Sequence, residues 1–210
     1  RNPSAGAVQT TLDIPEPGAA CKVYRSSPFE AWRVGRTGRR KDDPAMVKRL
    51  PATELVPGGF ITSACSPLIY RAELLDGQYG LNFVCDPANN LIHRERLEPK
   101  GGTFVAKRID PDKEFLASSD IWFRPCCLTL GPDGAIYVAD ICREVIETPL
   151  SLPKDIQDRY DLTSRGAGRI WRVVPREWKF SERKMPGAMS LQELVGELES
   201  RNAWRRLTAQ

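Results

Sequence analysis

The chain has 210 residues, of which 41% are hydrophobic and 28% charged, and its formal net charge is +4. This balance is ordinary for a soluble globular protein and excludes wholesale disorder. The charge is too small to indicate a nucleic-acid partner, and we expect none. With 17 Pro and 16 Gly, turns must be frequent, which favours an all-β architecture of short strands.

The first readable strand signal lies at residues 20–25, which alternate between apolar and polar side chains and precede a Ser-Ser-Pro turn. We expect this strand to close one sheet. A stretch dense in Arg and Lys follows at residues 33–49. No aromatic residue is interleaved with these charges, as it would be in a single-strand binder, so we predict a solvated loop.

Four short apolar segments come next, separated by turns rich in Gly, Pro and Asn. They are residues 60–70, 81–85, 91–97 and 103–109. This rhythm of strand and turn predicts a second sheet, in the manner of a propeller blade.

Residues 123–140, FRPCCLTLGPDGAIYVAD, form the clearest local pattern in the chain. Two apolar runs flank a Gly-Pro-Asp-Gly turn, which predicts a β-hairpin. Pro132 fits the first central position of a type I turn, and Gly134 can take the positive φ that releases the second strand. A third strand is predicted at residues 168–174, so this region supplies most of another blade.

Helical signals appear in the insertion after the hairpin and near the end of the sequence. Residues 153–160 predict a short helix with Pro153 in its first turn. Ser190 and Glu193 form a capping box, and Asn202 can cap a second helix. Apolar residues at i, i+3, i+4 and i+7 of the first of these two helices are Leu191, Leu194, Val195 and Leu198. Two helices with open apolar faces are typical of the first unit of a helical repeat.

The predicted fold class is all-β, a partial β-propeller of about three blades with a short C-terminal α-helical segment. The propeller portion is assigned to residues 1–178, and the start of a truncated HEAT-like helical repeat to residues 186–210. Because a closed propeller needs at least about four blades, we expect the chain to be a fragment of a longer protein.

Six cysteines are present without a Cys-x-x-Cys pair, so we expect no zinc site. Single buried thiols are the default interpretation. Pairing of Cys65 with Cys85 on neighbouring strands is the alternative in an oxidising compartment. A disulfide between Cys126 and Cys127 is disfavoured, because adjacent residues of a strand point to opposite faces.

Four stretches resemble one family of large proteins. They are FITSACSPLIYRAELL, NFVCDPANNLIHR, EFLASSDIWFRPCCLTLGPDGAIYVADICREVIE and DLTSRGAGRIWRVVP, at residues 60–75, 82–94, 114–147 and 161–175. Together they resemble the propeller region of planctomycete-type membrane-bound dehydrogenase domain proteins. That family is similar to quinoprotein sugar dehydrogenases, continues into HEAT-like repeats and often ends in a c-type haem domain.

The resemblance implies the dehydrogenase-like propeller of an exported redox protein, periplasmic or associated with the cell envelope. It implies oxidation of a small-molecule sugar or alcohol, with electrons passing to a covalently linked haem domain beyond the helical-repeat domain. The implied cofactors are pyrroloquinoline quinone and calcium. Haem c is expected only outside this chain, since the Cys-x-x-Cys-His signature is absent. Two alternatives stay open, a non-enzymatic propeller that binds carbohydrate or a protein partner, and a structural scaffold.

Alcohol oxidation by a bound quinone needs a base and cationic groups that hold the quinone. His93, the only histidine, is the candidate base, and a surface or blade-edge histidine is the alternative. Arg124, Arg143 and Trp122 are candidate ligand contacts. Arg124 could instead form a salt bridge to Asp120 or Asp140.

Asp140 and Glu144 are the candidate metal ligands, because calcium prefers carboxylate oxygens. The alternative is a charged cluster that locks the insertion to its blade. Trp122, Trp171 and Trp178 could stack on a sugar ring or fill the wedge between blades.

Overall fold

The structure is a computed structural model that describes residues 21–210, so the first twenty residues of the predicted propeller portion lie outside the described residues. The fold is mostly β, with two antiparallel sheets and a few short helices. One sheet has five strands and the other has three.

The five-stranded sheet is an antiparallel meander with the strand order β1-β2-β3-β4. Its strands are β1 (Cys65–Ile69), β2 (Asn82–Asp86), β3 (Leu91–Lys100), β4 (Thr103–Arg108) and β5 (Leu116–Ala117). β5 pairs with the first residues of β3, beside the edge that β4 continues. Asn90 turns the chain between β2 and β3 with a φ of +58°, a left-handed conformation that Asn tolerates. The predicted rhythm of strand and turn is therefore confirmed here.

The three-stranded sheet has the order β6-β7-β8, with β6 (Pro125–Leu130), β7 (Ile136–Asp140) and β8 (Arg169–Val173). The predicted hairpin joins β6 to β7. The N–H of Gly134 donates to the carbonyl of Gly131 at 3.0 Å, and Gly134 has a φ of +85°. The turn residues thus act as their chemistry predicts.

The main core lies where β1 and β2 pack against β6. The ring of Phe83 meets those of Tyr70 and Phe115 edge to face, with centroids 6.3 and 4.8 Å apart. The Tyr70 hydroxyl donates to the carbonyl of Gly134 at 2.7 Å, so the first sheet also contacts the hairpin turn. Burial of each such aromatic side chain stabilises the fold by about 1.5–3 kcal/mol.

Residues 21–210 contain five short α-helices besides the sheets: α1 (Ala31–Asp42), α2 (Pro44–Arg49), α3 (Lys154–Gln157), α4 (Leu191–Glu197) and α5 (Ala203–Ala209). Short 3₁₀ helices span Ala52–Leu55, Pro87–Asn89, Pro149–Ser151 and Pro186–Ala188. Across residues 21–210, no helix combines the length and the apolar character that a membrane crossing requires.

The basic stretch at residues 33–49 is helical, so the prediction of a solvated loop is wrong. Arg and Lys are good helix formers, and one face of α1 buries Trp32, Arg33 and Thr37. Asp43 then caps α2 by accepting a hydrogen bond from the N–H of Ala45 at 2.9 Å. The many charged residues of this segment lie on an amphipathic helix, which the sequence prediction missed.

The described residues contain two sheets rather than about three. The strand predicted at residues 20–25 is reduced to one isolated bridge between Lys22 and Phe60. Pro28 has no N–H to extend a ladder, and the chain enters α1 three residues later.

The C-terminal helices begin where the sequence predicts. Ser190 and Glu193 form the capping box of α4, and Asn202 accepts from the N–H of Trp204 at 2.9 Å at the start of α5. The N–H of Ala203 donates to the carbonyl of Arg71 at 2.8 Å, and Ala203 is buried in the main core. α5 therefore packs against the sheets through its first turn. Exposed apolar side chains include Leu191 and Val195 on α4 and Leu198 at its C-cap.

Candidate functional site

Arg124 lies immediately before β6, and its side chain is 0% exposed. Its guanidinium donates to Glu30 Oε1 at 2.7 Å, and to the carbonyl oxygens of Pro87 at 2.9 Å and Arg143 at 2.8 Å. It also donates to the carbonyl oxygen of Glu144. Burial lowers the pKa of Arg124, which the carboxylate of Glu30 opposes. The guanidinium is thus occupied by protein acceptors, which favours a structural role over ligand contact.

The ion-pair partner of Arg124 is Glu30, and neither of the two aspartates expected from the sequence takes that place. Glu30 is itself buried and also lies 3.4 Å from Arg33 and 3.5 Å from Arg25. Burial alone would raise the pKa of Glu30, but the guanidiniums of Arg33 and Arg124 hold it below its ordinary value. This buried cluster joins the start of α1 to the start of β6.

Asp140 ends β7 with a carboxylate that is saturated by protein donors. Its Oδ1 accepts from the backbone N–H groups of Arg124 at 2.7 Å and Cys142 at 2.9 Å. Its Oδ2 accepts from Trp171 Nε1 and Arg169 Nε, each at 2.9 Å. Burial alone would raise the pKa of Asp140, but these hydrogen bonds, led by that of Trp171, lower it. Asp140 therefore ties the ends of β6, β7 and β8 together.

The residues predicted to bind calcium do not fit a metal site. Asp140 already accepts four hydrogen bonds, and burial raises the pKa of the neighbouring Glu144. Among residues 21–210, no group of three or more His, Cys, Asp or Glu side chains is arranged to hold a metal ion. The arrangement matches the alternative, a charged cluster at the base of the insertion.

Arg143 and Trp122 lie together beside this cluster. The N–H of Arg143 donates to the carbonyl of Trp122 at 3.1 Å, while its side chain donates to Ser164 Oγ at 3.2 Å and the carbonyl of Thr163 at 2.8 Å. Arg143 thereby closes the insertion between β7 and β8. Trp178 has a different neighbourhood, with its ring 6.1 Å from that of Phe180.

His93 lies inside the five-stranded sheet and is only 2% exposed. Its Nδ1 is 2.7 Å from Glu114 Oε2, and its Nε2 is 3.7 Å from Glu95 Oε1. Glu114 Oε1 also accepts from Arg108 and from the N–H of Tyr24, each at 3.1 Å. The alternative, a surface or blade-edge histidine, is wrong, because the ring is buried and bonded to Glu114 within this polar network. Such burial favours a structural role for His93 over that of a base open to substrate.

The structure brings Arg124, Arg143, Asp140, Glu144 and Trp122 to one region, at the ends of β6 and β7. The partners of His93 lie elsewhere, Glu95 on β3 itself and Glu114 between β4 and β5. The predicted base and the predicted cations therefore do not converge on one channel.

A cleft of about 340 Å³ beside α1 was not predicted from the sequence. Arg33, Arg36 and Arg40 lie along it, together with the carboxylates of Glu54 and Glu147. Other polar residues that line it are Thr37, Thr53, Thr62 and Ser63. The i, i+3, i+7 spacing of the three arginines is the sequence signal for this face, and it becomes visible only once the segment is recognised as a helix.

The cysteine thiols at Cys65, Cys85, Cys126, Cys127 and Cys142 are free. Cys65 and Cys85 nevertheless face each other in register on β1 and β2, as the predicted pairing requires. Burial raises the pKa of both thiols, most strongly for Cys85.

Comparison with known proteins gives one family and one distant structure. A family model described as a domain of unknown function (DUF7133) matches residues 17–177. A solved structure from Thermus thermophilus, named as an oxidoreductase (glucose dehydrogenase), aligns with 56% of this chain at 20% identity and a TM-score of 0.33. The alignment spans 26% of that protein's chain. No curated protein matches the chain.

Proposed function

We propose, since the chain belongs to the DUF7133 family, that it forms part of the β-propeller of a dehydrogenase that oxidises a sugar or alcohol. The observation that carries this proposal is the way the two antiparallel meanders pack. The N–H of Leu128 on β6 donates to Ser66 Oγ on β1 at 2.7 Å, within the bulge that gives Ser66 a φ of +51°. β1 and β6 are the first strands of two consecutive sheets, and they lie side by side. Neighbouring blades of a propeller are arranged in this way.

A second link between the sheets supports the same arrangement. The side-chain amide of Asn90, at the turn between β2 and β3, donates to the carbonyl oxygens of Phe123 at 2.7 Å and Ile121 at 3.0 Å. Asn90 is fully buried, so these bonds are shielded from water. The turn of one sheet is thus fixed to the segment that leads into β6 of the next.

Within this proposal, residues 21–210 contribute the wall of the propeller. His93, Arg124 and Asp140 each satisfy buried protein partners, so we do not place the quinone or calcium on them. The planctomycete-type assignment, the HEAT-like repeats, the linked haem domain and export to the periplasm or cell envelope belong to the same proposal. They rest on the four stretches of sequence resemblance.

A second candidate function is a non-enzymatic propeller that binds a ligand. The observation that favours it is the cleft beside α1, which is open, rich in arginine and separate from His93. Such a protein would recognise its ligand without a base or a redox cofactor.

Dye-linked oxidation by the longer protein that contains this chain tests the dehydrogenase proposal. The protein is assayed with a panel of sugars and alcohols, with and without added pyrroloquinoline quinone and calcium. Saturable dye reduction with at least one substrate is expected. A folded protein that reduces no dye across the panel would instead support the binding function or a structural scaffold.

A further inference from the structure

We propose that the cleft beside α1 binds a small hydroxylated molecule through an oxyanion group, either a phosphate or a carboxylate. The cleft, of about 340 Å³, has the size of a small-molecule site. This binding function goes beyond the dehydrogenase proposal and does not depend on it.

The charge of the cleft comes from one face of a helix. Arg33, Arg36 and Arg40 lie one turn or two turns apart on α1, so their guanidiniums point to the same side. Against these three cations the lining contains two carboxylates, Glu54 and Glu147. Arginine presents a planar set of donors that matches the oxygens of a phosphate or carboxylate.

The protein's own carboxylates leave donors of these arginines unused. Arg33 is 6% exposed, yet its Nη2 has no hydrogen-bond partner, and neither has Arg36 Nε. Arg33 Nε is turned instead to the buried Glu30, at 3.4 Å. Glu147 Oε1 lies 3.4 Å from Arg36 and 3.8 Å from Arg33, beyond the usual length of such a bond. Buried donors without partners are uncommon and costly, so an acceptor from a ligand would complete this set.

An acceptor in the same cleft is also unused. Glu147 Oε2 is buried and has no hydrogen-bond partner. A carboxylate oxygen needs a donor, which a bare anion cannot supply but a ligand hydroxyl can. The free acceptor therefore calls for hydroxyl groups on the ligand, and the free arginine donors call for an oxyanion.

The arginines are held in place before any ligand arrives. The guanidiniums of Arg33 and Arg36 lie over the ring of Trp32, at 5.0 and 4.9 Å from its centroid. Trp32 is itself buried, in a small core with Val145 and Ile156. Because the side chains are already ordered, binding loses little conformational entropy.

A small anion fits this cleft better than a polyanion does. Glu54 stands at the cleft with its side chain 46% exposed, where it would repel the next phosphate of a nucleic acid. The bond between Arg40 and Glu54, at 2.7 Å, further confines the free donors to the inner end near Arg33 and Arg36.

Calorimetric titration of the protein with three probes tests the inference. The probes are inorganic phosphate, gluconate and glucose 6-phosphate, at constant ionic strength so that general screening is unchanged. Arg36→Gln is expected to weaken binding by about tenfold or more. Arg39→Gln is the matched control, because it removes the same charge from the same helix but pairs with Asp155, outside the cleft, at 3.4 Å. Its affinity is expected to stay within about twofold of wild type.

The pattern of binding across the probes identifies the anchoring group. Saturable binding of the phosphate-bearing probes alone assigns a phosphate, and of gluconate alone a carboxylate. Glu147→Gln gives an independent test in the opposite direction, since loss of its negative charge should tighten inorganic phosphate binding. The inference is overturned if no probe binds saturably, or if Arg39→Gln weakens binding as much as Arg36→Gln.

Discussion

Replacement of Arg124 by Met is the most direct test of how the two sheets and α1 are held together. Met keeps most of the side-chain length but removes every donor. Glu30 would lose its 2.7 Å partner inside the protein, and the carbonyls of Pro87, Arg143 and Glu144 would each lose a hydrogen bond. The charge of Glu30 would stay buried, because its side chain is 0% exposed.

Removal of one member of a buried ion pair typically costs about 3–5 kcal/mol, because the other charge is left unpaired. Arg33 and Arg25 remain within 3.4 and 3.5 Å of Glu30, so they offset part of that penalty. We therefore expect a loss near the lower limit, about 3 kcal/mol, in the free energy of unfolding. Adding Glu30→Gln to Arg124→Met should recover part of this loss, since no buried charge then remains unpaired.

Urea unfolding followed by tryptophan fluorescence measures this change, because the chain contains five Trp. Lys107→Met is the matched control. Lys107 pairs with Glu98 at 2.5 Å on the surface, where its side chain is 60% exposed, so its loss should cost less than about 1 kcal/mol. If Arg124→Met lowers the free energy of unfolding no more than Lys107→Met does, the buried cluster does not hold the fold together.

Three further predictions concern single sites. Burial alone would raise the pKa of Asp140, but the hydrogen bonds to its carboxylate outweigh burial, so the folded pKa is lowered. The ionised carboxylate therefore stabilises the fold above the unfolded pKa of about 3.9. That contribution is lost as pH falls through the lower folded pKa, so the gap in Tm between wild type and Asp140→Asn should narrow below about pH 4; a constant gap would contradict this. Gly134→Ala should cost about 1–2 kcal/mol in urea unfolding, because φ is +85° and a Cβ would meet a side chain at 3.0 Å. Gly102→Ala, with open space and no positive φ, should change little, and equal effects of the two substitutions would refute the argument. Iodoacetamide labelling read by mass spectrometry should modify exposed Cys127 before buried Cys85, whose pKa burial raises; the reverse order would refute it.

The strands and turns could be predicted because their signals are local. The Gly-Pro-Asp-Gly turn determines its own conformation, and alternation in the neighbouring residues specifies which side chains enter the core. The capping box at Ser190 is equally local, with both of its hydrogen bonds within four residues. The prediction of a loop at α1 was wrong because dense charge is typical of a solvated loop and also of the exposed face of an amphipathic helix.

The site residues could not be assigned from sequence because their partners are distant in the chain. Glu30 and Arg124 are 94 residues apart, and no local pattern connects them. His93 and Glu114 are 21 residues apart and meet only because β3 and β4 form a hairpin between them. The residue types alone suggested catalytic or binding chemistry. The role of each residue is determined by how deeply its side chain is buried and by the partners that it meets there.

The rate of dye-linked oxidation per folded molecule, compared between wild type and His93→Gln in the longer protein, tests the account most directly. The account predicts that wild type oxidises a sugar or alcohol. It also predicts that His93→Gln has a lower Tm but keeps its rate per folded molecule, since His93 is buried against Glu114. Loss of the rate with an unchanged Tm would make His93 the base, and absence of oxidation by wild type would contradict the dehydrogenase itself.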